Sequence, residues 1–265
     1  MIRTEKDVIF GSTGGRQLRC DVYSPAPAMQ AAAGVLLLHG GYWSRGHRSA
    51  MEVFGTRLAA AGMVAVASEY RLSGESPWPA QIHDVKTAIR WMRATAGDLG
   101  IDDTRLAVLG RSAGGHLALL AAGTPGRAEF EGDGGQPGVD TSVAAVVALF
   151  SPTVLSVREQ TERGAVPAQL LFGDRTNERL AADASPLTYV NASYPPTFLL
   201  HGAADEIVPA SASIVMHQAL SDAGVPVELH LYASQPHGFA GRPPFIDQCT
   251  AEIDSFLTRS LPSAS

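Results

Sequence analysis

Short aliphatic runs alternate with amphipathic segments along most of this chain. Three of the runs read AGVLLLHGG, VAVASEYRL and VAAVVALFS. Between them lie segments with helical spacing, and one of these places Ile82, Val85, Ile89 and Met92 on a single face. Aliphatic strands separated by helices form a mostly parallel sheet, because each connecting helix covers one face of it. The pattern predicts an α/β fold with about eight strands and helices on both faces.

The length of 265 residues suits one large α/β domain, so we expect a single domain over residues 1–265 with a frayed tail at 261–265. Two strand-like segments, DVIF and QLRCDVYS, come first. Only about 30 residues precede the first buried strand, which predicts a minimal cap. Two long loops, 124–142 and 151–190, are expected to shape a site, and the second contains a helical candidate at 177–184.

Charge and composition exclude several classes of protein. A net charge of −6 argues against a nucleic-acid partner, which would favour a basic face. No apolar stretch approaches the roughly 20 residues that span a bilayer, and the first residues lack the apolar core of a signal peptide. The cysteines, Cys20 and Cys249, lie far apart, and we expect two free thiols. These features predict a soluble cytoplasmic protein without a membrane partner.

A serine stands among glycines between an aliphatic run and a helical segment, in LAVLGRSAGGHLALLAAG. The pattern Gly110-x-Ser112-x-Gly114 is typical of a nucleophile elbow, a sharp turn that lifts the serine hydroxyl above the sheet edge. Small residues are needed there because the turn crowds the backbone. The following helix directs its N-terminal N–H groups toward the reacting oxygen. We therefore predict that Ser112 is a catalytic nucleophile.

A serine nucleophile needs a base and a group that orients the base. Of eight histidines, His237 follows the strand VELHLYA in a loop, so it should emerge at the carboxyl edge beside Ser112. Asp205 follows the strand in TFLLHGAADEIVP, and the order Ser112, Asp205, His237 fits this elbow type. Glu206 and Asp174 are the alternatives for the acid.

Backbone donors for an oxyanion are expected at the end of the strand in LLLHGGYW. Its two glycines, Gly40 and Gly41, allow close approach of the backbone to a substrate. One of their N–H groups, together with that of Ala113, would complete an oxyanion hole. These parts together predict acyl transfer without a metal or other cofactor.

The chain resembles the α/β-hydrolase superfamily, and more narrowly the hormone-sensitive-lipase-like esterases and the bacterial acetyl-xylan and feruloyl esterases. The resemblance covers about 34–261 and rests on HGGYW, GRSAGGHLA, PPTFLLHGAADEIVP and GVPVELHLYASQPHGF. It implies a carboxylesterase that acts on short-chain or aryl esters through an acyl-serine, with Ser112, Asp205 and His237 as triad. It also implies that Asp84 is a structural anchor.

Three other functions stay open on the sequence. HGGYW is also similar to the kynurenine-formamidase-like branch, where Tyr42 and Trp43 would stack on an aromatic substrate. A peptidase resembling prolyl oligopeptidase is disfavoured, because the chain has no room for a propeller. The third alternative is a catalytically silent protein that uses this fold only to bind a ligand or partner. The expected partner is a small-molecule ester, and the expected assembly is a monomer or a homodimer.

Overall fold

The computed structural model describes residues 1–26, 32–157 and 165–263. An eight-stranded sheet forms its centre, in the order β1-β2-β4-β3-β5-β6-β7-β8. β2 is antiparallel to β1 and to β4, and all the other neighbours are parallel. The predicted α/β class and strand number are confirmed. The strands are β1 Ile2–Thr13, β2 Arg16–Pro25, β3 Ala32–Leu38, β4 Val64–Ser68, β5 Ile101–Arg111, β6 Ala145–Leu149, β7 Thr197–Gly202 and β8 Val227–Tyr232.

Two hydrophobic clusters cover the two faces of the sheet. In β3, Leu36 and Leu38 belong to one cluster and Val35 and Leu37 to the other, as the alternation of side chains along a strand requires. Helices α2, α3 and α4 contribute to the first cluster, and α1 and α5 to the second. Their bounds are α1 Glu52–Ala60, α2 Ala80–Ala94, α3 Ala113–Gly123, α4 Ser211–Asp222 and α5 Phe245–Ser260.

Shorter elements fill the connections. The predicted helix at 177–184 is present as Glu178–Asp183, where the Asn177 side chain accepts a hydrogen bond from the Leu180 N–H at 3.0 Å. Two-residue strands at Leu155–Ser156 and Val166–Pro167 pair in parallel. The other short helices are Ala96–Leu99, Ala128–Glu131 and Gln169–Phe172, and the 3₁₀ turns are Arg48–Met51, Gly173–Arg175, Pro186–Tyr189 and Phe239–Gly241.

Both chain ends differ from the sequence prediction. β1 is twelve residues long rather than the four of DVIF, and most of its side chains are exposed, so it has little hydrophobic pattern. β1 and β2 form one edge of the sheet and do not form a cap over the site. At the other end, the expected fraying at 261 is wrong, because Leu261 packs into the core cluster of α5. Residues 264–265 lie outside the described part of the chain.

Among the described residues, none of the helices combines the length and apolar character needed to cross a bilayer. The longest, α5, has 16 residues and carries charged side chains on its outer face. Its inner face carries Ile246, Cys249, Ile253 and Phe256, all of them buried.

Candidate active site

Ser112 sits in the sharp turn between β5 and α3. Its φ and ψ are 54° and −122°, a conformation that non-glycine residues rarely adopt. The turn depends on close backbone approach, since a Cβ on Gly110 would lie 2.1 Å from the Gly114 carbonyl oxygen. The Ser112 N–H donates to the Leu149 carbonyl of β6 at 2.8 Å. The strained turn is therefore held by the sheet on one side and begins a helix on the other.

His237 lies in the loop after β8 and reaches the serine. Its Nε2 is 3.0 Å from Ser112 Oγ, and its Nδ1 is 2.7 Å from Asp205 Oδ2. Because a carboxylate only accepts, the imidazole proton lies on Nδ1 and Nε2 is free to accept from the serine hydroxyl. The Phe150 ring meets the imidazole edge to face at a centroid distance of 4.8 Å. The orientation of the imidazole is thus fixed by a carboxylate and an aromatic ring.

Asp205 lies in the loop after β7, with its side chain fully buried. Its Oδ1 accepts hydrogen bonds from the backbone N–H groups of Ile207 and Val208, both at 2.9 Å. Burial alone would raise the pKa of Asp205, but hydrogen bonds from His201, His237 and the Val208 N–H outweigh it and hold that pKa well below its ordinary value. The carboxylate is therefore ionised throughout the neutral range.

The two rival acids lie elsewhere. Asp174 is exposed in the Gly173–Arg175 turn, and Glu206 is exposed at the rim of a cleft beside His237. His237 Nδ1 is already occupied by Asp205 at 2.7 Å. The structure thus brings the predicted serine, histidine and aspartate into one hydrogen-bonded chain and leaves both alternatives outside it.

The glycine loop after β3 lies against the elbow. A Cβ on Gly40 would be 3.1 Å from Ser112 Cβ, so the loop backbone borders the serine directly. Tyr42 and Trp43 follow with φ values of 56° and 59°, which turn the chain sharply around the site. Ala113 opens α3, where the first N–H groups of a helix lack intrahelical partners. Two of the predicted oxyanion donors, Gly40 and Ala113, therefore border Ser112 directly, and Gly41 is the next residue of the same loop.

A narrow pocket of about 10 Å³ adjoins the serine. Trp43 forms a rigid part of its wall, because it is buried and its Nε1 donates to His116 Nδ1 at 3.2 Å. Burial lowers the pKa of His116 to about 4, so its ring is neutral, and Nε2–H donates to the Ala184 carbonyl at 2.7 Å. Tyr42 lies under the Arg45 guanidinium, 5.0 Å from the ring centroid. The lining residues are Tyr42, Trp43, Ser112, Ala113, Pro152, Val166, Ile207 and Val208.

Four of these lining residues were not predicted. Pro152, Ile207 and Val208 follow β6 and β7 at the carboxyl edge, and that position was a usable signal. Val166 lies in the long 151–190 segment, where no periodicity indicates which residue turns toward the serine.

Asp84 acts as the expected anchor. Its carboxylate accepts from the Arg71 N–H at 2.8 Å and from the Arg71 guanidinium at 2.8–3.1 Å, and it is almost fully buried. This joins α2 to the chain that leaves β4. Tyr70, one residue earlier, donates its hydroxyl to the His39 carbonyl at 2.9 Å, next to the glycine loop. Across the described ranges, no cluster of His, Cys, Asp and Glu has the arrangement of a metal site.

The strand order and a serine at the β5–α3 turn, bonded to a histidine that follows β8, define the α/β-hydrolase fold. The BD-FAE family model matches residues 20–220, and the chain belongs to this family of carboxylesterase-like α/β-hydrolases.

Curated relatives and solved structures agree with this placement. Esterase LipQ of Mycobacterium tuberculosis is 35% identical over 82% of this chain and 53% of its own length. Carboxylesterase NlhH of the same species is 30% identical over 90% of this chain and 76% of its own. The thermophilic esterase Est2 of Thermogutta terrifontis, solved with propionate bound, superimposes with a TM-score of 0.83 at 25% identity, covering 98% of this chain and 96% of that one. The chain spans about half the length of LipQ.

Proposed function

We propose that this protein is a serine carboxylic-ester hydrolase that acts on short-chain or aryl esters. The observation that carries the proposal is the unbroken hydrogen-bonded chain from Ser112 Oγ through His237 to Asp205, with contacts of 3.0 and 2.7 Å. These distances fall within the range needed for proton transfer between a nucleophile and its base. The esterase names of LipQ and NlhH support the same reaction.

In the proposed mechanism Ser112 Oγ attacks the ester carbonyl carbon while its proton passes to His237 Nε2. Asp205 stabilises the resulting imidazolium and keeps the ring in the required tautomer. The N–H groups of Ala113 and of Gly40 or Gly41 bind the developing oxyanion. His237 then protonates the departing alkoxide, which leaves an acyl-serine. Water attacks this ester with His237 as base, and the carboxylic acid departs as the serine regains its proton.

The proposed substrate class follows from the size and walls of the pocket. Its volume of about 10 Å³ lies far below the roughly 300–1,000 Å³ typical of pockets for drug-sized ligands. The side chains of Trp43, Pro152, Val166 and Ile207 make it largely apolar. Such a pocket favours a short acyl group and leaves the alcohol toward the open side. A small-molecule ester is therefore the proposed partner.

A second candidate is hydrolysis of an aryl formamide by the same site. Tyr42 favours it, because the ring lines the pocket beside Ser112 and could stack on an aromatic group. Trp43 supports it less, because the ring is almost fully buried and bonded to His116. We prefer the ester reaction, because a short-chain ester needs no aromatic side chain to stack on.

The proposal extends to the setting of the enzyme. Both cysteines are free and buried, which fits a reducing compartment such as the cytoplasm. The net charge of −6 disfavours a nucleic-acid partner. We propose a cytoplasmic monomer or homodimer, which gel filtration with light scattering and fractionation of the native host would test.

A substrate panel tests the proposed reaction. Purified protein would be assayed on p-nitrophenyl acetate, butyrate and octanoate, on methyl ferulate and on N-formylkynurenine, with and without a chelator. We expect rapid cleavage of acetate and butyrate, slow cleavage of octanoate, and no effect of chelation.

Ser112→Ala is the control, and it should fold normally and lose at least about 10³-fold in kcat. Activity within tenfold of wild type would contradict the nucleophile. A preference of several orders of magnitude for N-formylkynurenine would favour the formamidase. Silence on every substrate would favour a binding protein.

A further inference from the structure

We propose that His201 is a positioning residue of the triad, which holds Asp205 and the loop behind it in the geometry that His237 requires. This inference rests on the proposed function. His201 is the penultimate residue of β7 and is fully buried, and the proposed mechanism assigns it no step.

Both nitrogens of this imidazole are engaged. Nε2 is 2.9 Å from the Val208 carbonyl oxygen and 3.3 Å from Asp205 Oδ2. Both neighbours only accept, so Nε2 carries a proton, which it donates to the Val208 carbonyl while facing the Asp205 carboxylate. Nδ1 is 2.7 Å from the Ser213 hydroxyl of α4, which can donate to it. Ser213 thereby favours the tautomer with the proton on Nε2.

His201 completes the set of donors around Asp205. Oδ1 accepts from the Ile207 and Val208 N–H groups, while Oδ2 receives His237 at 2.7 Å and His201 at 3.3 Å. Donors on both oxygens fix the rotation of the carboxylate about its last bond. The shorter contact to His237 is then made by an oxygen that cannot swing away.

The same imidazole ties the acid to the pocket. Its stronger bond, to the Val208 carbonyl, closes the loop from Asp205 to Val208 back onto β7. Ile207 and Val208 both line the pocket at the serine. A shift of this loop would therefore move the carboxylate and the wall together, and misplacement by about 1 Å can cost roughly 10²-fold in rate.

Three variants separate positioning from simple packing. His201→Leu fills much of the space but donates no hydrogen bond. His201→Gln places an amide N–H near the position of Nε2 and restores that donor. Ser213→Ala leaves the imidazole and removes only the group that favours its tautomer. Each would be measured for kcat, KM, melting temperature and the downfield proton resonance of the Asp205–His237 hydrogen bond.

We expect His201→Leu to lower kcat by about 10- to 100-fold, with a smaller change in KM, and to shift or broaden the downfield resonance. His201→Gln should recover kcat to within about fivefold of wild type and restore the resonance, and Ser213→Ala should lower kcat by only a few-fold. If His201→Leu and His201→Gln instead lower the melting temperature but keep the wild-type kcat and resonance, the role is packing alone and the proposal fails.

A measurement independent of turnover covers the case in which His201→Leu does not fold. The ¹⁵N shifts of His201 in the Ser112→Ala protein should show a protonated Nε2. An unprotonated Nε2 would overturn the proposal. Loss of the proposed hydrolase function would appear separately, as wild-type inactivity on the whole substrate panel with the His201 tautomer unchanged.

Discussion

Asp205 has the most demanding surroundings of any charged residue in the candidate site. Its side chain is fully buried, yet four N–H donors reach its two oxygens. A buried carboxylate is costly unless it is paired and hydrogen-bonded, and here the donors more than offset the cost. Two consequences follow at the scale of this single residue, one for catalysis and one for acid stability.

Asp205→Asn should lower kcat by about 10³- to 10⁴-fold on p-nitrophenyl butyrate. The amide has only one acceptor oxygen, and its NH₂ group favours the tautomer of His237 that cannot take the serine proton. Asp174→Asn is the matched control, because the same chemical change falls on an exposed turn, and we expect less than a threefold effect. A larger loss in Asp174→Asn than in Asp205→Asn would reassign the acid.

Acidification should weaken the fold partly through Asp205. Its pKa is lower in the folded protein than the value of about 3.9 expected for the unfolded chain. The unfolded state therefore binds the proton more readily, so this stabilisation is complete above about pH 4 and is lost as the pH falls toward the folded-state pKa. Urea unfolding at pH 5, 4 and 3 should show a steeper loss for wild type than for Asp205→Asn. Parallel losses would mean that other carboxylates dominate.

At the scale of elements, the connection from β4 to α2 carries a buried ion pair. Arg71 and Asp84 bring the start of α2 against the chain after β4, and Tyr70 in the same connection bonds the residue before the glycine loop. These contacts explain why the strand predicted from VAVASEYRL ends at Ser68 and does not continue to Leu72. From Glu69 to Leu72 the chain is held mainly by side-chain contacts, and hydrophobic periodicity does not predict such contacts.

Asp84→Ala should reduce the free energy of unfolding by about 2–4 kcal/mol. Removing one partner of a buried pair leaves the other charge uncompensated, and the estimate is discounted because the Arg71 side chain is 16% exposed. Asp103→Ala, at an exposed position, should cost less than about 0.5 kcal/mol. Denaturant titration followed by circular dichroism compares the two. Equal costs would show that the pair adds no stability.

Sequence patterns predicted elements well wherever one physical requirement dominated. The strands β3, β4, β6 and β7, and β5 from Leu106 to Gly110, are buried on both faces, so an aliphatic run identified each of them. The elbow and the glycine loop were predictable because close backbone approach at both turns leaves no room for a side chain, which requires glycine. The contacts of His201 and His116 were not predictable, because their hydrogen-bond partners come close only when the chain folds. The pocket wall at Val166 failed to be predicted for the same reason.

At the scale of the whole molecule, the sheet separates the two cysteines. Cys20 belongs to the core cluster that α2, α3 and α4 cover, and Cys249 to the cluster that α1 and α5 cover. Burial raises the pKa of Cys20 to about 12 and that of Cys249 to about 11. Each thiol therefore reports on the opening of one layer.

A thiol-specific disulfide reagent should titrate two thiols at once in denaturant but react only slowly under native conditions, because both thiols are buried. Under native conditions we expect both thiols to be modified at one common rate, set by global unfolding, because both clusters rest on the same sheet. Cys20→Ala and Cys249→Ala, each leaving one thiol, would be measured separately. Rates that differ by tenfold or more would show that one layer opens without the other.

Part of the pocket wall comes from a stretch of chain that holds none of the groups aligned for proton transfer. Pro152 and Val166 belong to the segment between β6 and β7, whereas Ser112 and His237 are held by the ends of β5 and β8. On the proposed function, randomising this one segment should therefore change which acyl group is preferred. Because neither residue bonds the serine or the histidine, a library built there samples new selectivities on an intact reaction centre, and most of its members should differ in which ester they accept rather than in whether they react.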